Sequence, residues 1–262
     1  MEKEELIQKI LSLKTQEEKV QYLKAFCFKR IFEITGDKEL VEKLGLKNID
    51  IEILSSDEIK KLYAELGGEG DGTRAFYSRK QRKVFTSEIN SEEAVIDFVH
   101  EFLHALSHFY GNENKPEKIG IRLPFSHENS AKSNHFNEGM NVKAVSMVLG
   151  YDAGNTYGAN KKKLEIVQAM CGLSDKEIFR LNFEDDGILV PEAKDNFNPK
   201  DSNALEDILS KYIQLEEIED FEKYVENCSE KTKTLAKKLI QTRKEEEKKK
   251  REEPPSDGWD MI

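Results

Sequence analysis

Two histidines four residues apart, with a glutamate directly after the first, make up the run His100-Glu101-Phe102-Leu103-His104. On a helix, side chains at i and i+4 stand one turn apart on one face. His100 and His104 can therefore present imidazole nitrogens to a single ion at the about 2.0–2.1 Å that zinc prefers. Glu101 lies beside the pair and can reach a metal-coordinated water without being a ligand. Zinc brings the pKa of such a water towards about 7, so a neighbouring carboxylate can take its proton and later hand it to a leaving amine. These residue types at this spacing point to hydrolysis of an amide bond.

The run needs a helix to position it, and the surrounding sequence supplies one. Ser91-Glu92-Glu93 reads as a helix start, and the helix is expected to continue to about Tyr110, where Gly111-Asn112 stops it. Its apolar positions, from Val95 and Phe98 through Phe102 to Phe109, lie nearly all round, as in a helix buried in a core. Two histidines and a glutamate are costly there unless they are satisfied or used.

A catalytic zinc needs a third protein ligand and an open fourth position. Glu138, in Asn137-Glu138-Gly139, is expected in the first turn of the next apolar helix, and its carboxylate completes a two-His-one-Glu set. His108 continues the i, i+4 series but falls a turn too far along, so the helix end or the cleft rim is its expected place. His127 and His135, in the polar stretch before Glu138, are the alternative ligands.

With these residues the chain resembles the gluzincin branch of the zincin metallopeptidases. That group carries His-Glu-x-x-His on one helix and a glutamate ligand on a following one, often after Asn or Asp. The resemblance covers about residues 48–172. It implies a single zinc ion on His100, His104 and Glu138, with Glu101 as catalytic base. It also implies that Thr73–Tyr77 or Lys83–Thr86 forms a cleft edge that pairs with an extended peptide. Tyr157 is the expected phenol donor to the tetrahedral oxyanion, with Tyr151 and His135 as alternatives. The pattern departs at Val142, where those enzymes often place an aspartate behind a ligand histidine. Nor is the run metzincin-like, since Ser107 and Tyr110 stand where a glycine and a third histidine belong.

Around this centre the periodicities predict a predominantly helical α+β fold, with a small mixed sheet packed on the motif helix and helices at both ends. Residues 1–46 read as an N-terminal helical segment, with a second helix opened by the capping box Thr15-Gln16-Glu17-Glu18 and broken at Gly36. Residues 47–185 form the expected zincin-like core. It holds a strand over 48–54, a helix from Ser55, the hairpin 73–86, the motif helix, helices over about 137–149 and 160–170, and a further helix capped at Ser174. Residues 186–250 are expected as a C-terminal helical region, a loop to 203 followed by helices over about 203–227 and 229–250. Residues 251–262 read as a flexible tail.

Composition narrows the partners. The 51 acidic residues outweigh 41 basic ones for a net charge of −10, which argues against binding to nucleic acid or to an anionic membrane surface. The expected partner is a peptide or protein substrate. The charged N-terminus carries no secretory h-region, and no window approaches the about 18 apolar residues of a spanning helix. Cys27, Cys171 and Cys228 fit no paired pattern and suit a reducing, cytoplasmic setting. Two other functions remain open on the sequence: a regulatory protease of the ImmA/IrrE type that cleaves one partner protein, and a catalytically silent zincin fold used for binding. Glu101 weighs against the silent form, which has no need of a base.

Overall fold

The computed structural model describes residues 3–67, 73–109, 118–120, 131–153, 158–170, 173–184, 202–215 and 218–228, with scattered positions between 230 and 248. The chain divides into two compact units, residues 1–190 and 191–262. Among the described residues, no helix is long and apolar enough to cross a membrane.

The first unit opens with helices α1 (Lys3–Leu11), α2 (Gln16–Thr35) and α3 (Lys38–Gly45). Thr15 and Glu18 form the reciprocal capping box that starts α2. Gly36 ends that helix in a left-handed conformation (φ 67°), donating its N–H to the Phe32 carbonyl. Helix α2 buries Val20, Leu23, Cys27 and Ile31. It packs against the helices Glu92–Ser107 and Ala131–Leu149.

Strands β1 (Asp50–Ile53), β2 (Ala75–Ser78) and β3 (Lys83–Thr86) form a mixed sheet in the order β1-β3-β2. β1 runs parallel and β2 antiparallel to β3. Side chains alternate across a strand, so Phe76 and Phe85 share one face. Their rings stack at 5.0 Å, and they pack on Ile59 of α4 (Ser56–Glu65). Ala75, Tyr77, Val84 and Thr86 take the other face, against α5 (Glu92–Ser107).

Helix α5 is the buried element that the sequence predicts, with Phe98, Val99, Phe102, Leu103 and Leu106 sealed from solvent. It ends at Ser107, about three residues earlier than the apolar pattern suggests. His108 turns to extended geometry (φ −82°, ψ 122°). The cause is tertiary. His108 and Phe109 form strand β4, antiparallel to β5 (Lys118–Ile119), and the Gly120 N–H donates to the Ser107 carbonyl. The Lys47 ammonium donates to the carbonyls of Leu106 and His108, which stabilises the negative end of the helix.

Helices α6 (Ala131–Leu149), α7 (Gly158–Met170) and α8 (Asp175–Asn182) complete the unit. α6 starts about six residues before the apolar pattern does. Ala131–Glu138 contains neither Gly nor Pro, so nothing in it breaks a helix. A Cβ on Gly139 would lie 2.4 Å from the Asn160 carbonyl oxygen, so α6 and α7 touch nearly backbone to backbone. At its far end α6 is capped by Arg30, whose guanidinium donates to the carbonyls of Val148 and Met147.

In the second unit, the helix expected over 203–227 is instead two, α9 (Ser202–Gln214) and α10 (Ile218–Glu226). Ile208, Leu209, Tyr212, Phe221 and Val225 form its interior, together with Ala236 and Leu239 from a further helical stretch. The loop from 186 to 201 and the tail from 251 lie outside the described residues.

Candidate metal centre

Three donor atoms converge where α5 faces α6. The His100 Nε2 lies 3.1 Å from the His104 Nε2, and the Glu138 Oε2 lies 3.2 Å from the first and 3.4 Å from the second. A tetrahedral ion with bonds of about 2.05 Å holds its ligand atoms about 3.3 Å apart. The three atoms thus span one face of such a tetrahedron. Two facing imidazole nitrogens can share at most one proton, so three inward lone pairs are the state that a cation satisfies. Side-chain exposure is 13% for His100, 11% for His104 and 28% for Glu138, which leaves the carboxylate side as the way in.

Glu138 is in the third turn of α6, not the first, because the helix begins at Ala131. Burial works to raise its carboxyl, but the His104 charge and the contacts with both imidazoles outweigh that and hold it well below the usual carboxylate range. His135 lies on α6, but its side chain is outside the described residues, as is His127 altogether.

Glu101 stands beside the triad without joining it, its Oε1 4.0 Å from the His100 Nε2. Burial pushes its carboxyl up to about 7; the His100 charge opposes this and the Glu138 charge adds to it. Its Oε2 accepts the backbone N–H of Tyr77 at 2.8 Å. The Arg74 carbonyl accepts the Ser87 N–H, so the even-numbered residues of this segment turn their backbone towards β3. Ala75 and Tyr77 turn theirs to the outer edge of the sheet. Of the two expected cleft strands, β3 is central and cannot offer an edge. β2 is paired on one side only among the described residues.

Two contacts have no counterpart in the sequence reading. The Asn141 Nδ2 donates to the His100 carbonyl at 2.6 Å and ties α6 to α5 beside the ligands. Asn141 shares a face with Glu138 at i+3, and a buried amide among Met140, Val142 and Val145 was the available signal. The Tyr77 hydroxyl and the His108 Nδ1 share a hydrogen bond at 2.6 Å. His108 is therefore buried behind β2 and not on a cleft rim. Tyr157 lies outside the described residues. Tyr151 is near Lys3 and Glu92 at the start of α5, about 12 Å along the helix from His100.

Compared with protein-family models, with curated proteins and with solved structures, the chain matches none.

Proposed function

We propose that this chain is a zinc-dependent metallopeptidase with a zincin-like, gluzincin-type site. The observation that carries the proposal is the convergence of the His100 Nε2, the His104 Nε2 and the Glu138 Oε2, with Glu101 next to them and not among them. Two histidines and one carboxylate also suit non-haem iron; the adjacent carboxylate base favours a hydrolytic ion. When bound, zinc supplies Lewis acidity that polarises a carbonyl and acidifies a coordinated water.

The chain's own residues supply the rest. The Tyr77 N–H fixes the Glu101 Oε2 and leaves the Oε1 nearest the triad. That oxygen takes a proton from the attacking water and returns it to the departing amine nitrogen. The outer edge of β2 offers the backbone groups of Ala75 and the carbonyl of Tyr77 to an extended peptide, which aligns the scissile bond with Glu101.

Metal analysis of the purified protein, paired with hydrolysis of a fluorogenic peptide mixture, tests the proposal. The expected result is one zinc per chain and activity that Glu101→Gln reduces by at least about 100-fold at unchanged metal content. Protein without stoichiometric zinc, or Glu101→Gln of full activity, would overturn it.

A further inference from the structure

The β2–β3 turn follows directly on the edge strand. Ser78 ends β2, and Arg79, Lys80, Gln81 and Arg82 lead to Lys83. The Arg82 N–H closes the turn on the Arg79 carbonyl, with Arg82 in the left-handed region at φ 56°. This is a dense positive cluster in a chain of net charge −10.

Its charges are not equally available. At the far end of the same strand, Arg74 is held by Asp97 at 2.7 Å. On the neighbouring strand, Lys83 is held by Glu52 at 2.9 Å. Arg79 and Lys80 are exposed, and neither has an ion pair among the described residues. Arg74 and Lys83 are thus neutralised by carboxylates, while the turn carries its positive charge at Arg79 and Lys80. Arg79 lies two residues beyond Tyr77, about 7 Å along the strand. A peptide paired with β2 and cleaved opposite Glu101 brings the side chains two to four residues from its scissile bond to this turn. The overall negative charge opposes approach of an acidic chain at long range. Salt screens that opposition beyond about 8 Å, so contact with the turn decides.

We infer that Arg79 and Lys80 select substrates with Asp or Glu two to four residues from the scissile bond, on the side of the peptide that lies over the β2–β3 turn. The inference rests on β2 as the peptide-pairing edge of the proposed peptidase. The test uses one peptide sequence with Glu, Ala or Lys triplets on either side of the cleavable bond. Binding is read by fluorescence anisotropy on Glu101→Gln protein, and cleavage on the zinc-loaded wild type. The Glu peptide is expected to bind and to be cleaved about fivefold better than the Lys peptide, from one side only. Arg79→Glu/Lys80→Glu should invert that order, and 0.5 M salt should flatten it. Both residues are exposed, so the variant should keep the wild-type melting temperature. Equal binding of the three peptides, no binding of any, or an acidic preference that survives the reversal would overturn the inference. Wild type that binds the Glu peptide with this preference but cleaves nothing would instead refute the peptidase reading and leave the acidic-peptide site standing.

Discussion

The backbone N–H of Tyr77 and the carboxylate of Glu101 are joined at 2.8 Å, so the edge of the sheet and the motif helix meet at one hydrogen bond. This N–H points away from β3, so the ladder does not use it. Proline is tolerated at such edge positions. Tyr77→Pro should therefore fold, and Tyr77→Ala serves as the control for loss of the side chain. The proline variant is expected to lose about 10-fold more kcat than the alanine variant, at similar KM, since a hydrogen bond to a charged group contributes about 1.5 kcal/mol or more. Equal kcat in the two variants would remove the N–H from the positioning of Glu101.

Metal affinity should follow the triangle of donors. Glu138→Ala leaves two imidazoles and is expected to weaken zinc binding at least about 100-fold in a competitive chelator titration. Unchanged affinity would transfer the third position to another residue, His135 being on the same helix.

The raised pKa of Glu101 makes a prediction about the metal-free protein. An acid that titrates near 7 when folded, and near the ordinary glutamate value of 4.5 when unfolded, favours the fold when protonated. That contribution is complete below about pH 4.5, declines as the pH rises to about 7, and is absent above. Metal-free Glu101→Gln should be more stable than wild type at pH 8 by on the order of 1–2 kcal/mol, discounted for the partial exposure of the site, and the difference should vanish near pH 4. Melting curves of both proteins in chelator at the two pH values decide this. A constant difference would deny that the ionised carboxylate is the cost.

At Gly139 the backbones of α6 and α7 approach closely. A Cβ there would lie 2.4 Å from the Asn160 carbonyl oxygen and 2.6 Å from its carbon, atoms that no side-chain rotation can move away. Gly139→Ala must push the helices apart. A loss of about 1–3 kcal/mol in denaturant unfolding is expected, along with weaker metal binding because Glu138 is the adjacent residue. Unimpaired stability would show that the contact is soft.

Local chemistry made much of this fold legible. Thr15, Ser55 and Ser174 each announce a helix through a glutamate three residues on, and each forms the reciprocal box. The alternation in β1 and the apolar girth of α5 carried the sheet and the buried helix in the same way. What stayed hidden was non-local. The end of α5 is decided by the pairing of His108 with Ile119, and no property of the helix itself records that partner. The start of α6 lies in residues 131–136, which carry no apolar period, so Glu138 was placed two turns too early. The Tyr77 contact could not be read at all, because every residue except proline carries the same backbone donor.

The spacing of the three donors also acts as a gauge set before any ion arrives. His100 and His104 ride on one helix, and the turn that carries Glu138 is pressed against α7 at Gly139, so neither side can open without disturbing packed backbone. Edges of 3.1 to 3.4 Å admit an ion with short bonds to nitrogen. Cobalt, close to zinc in its liking for imidazole, should enter with the helices unmoved and report its tetrahedral field as visible colour. Calcium, which takes six or more oxygens at about 2.3–2.6 Å, finds neither the room nor the ligands. With zinc as the proposed ion, the close packing of the two helices would favour metals of its size.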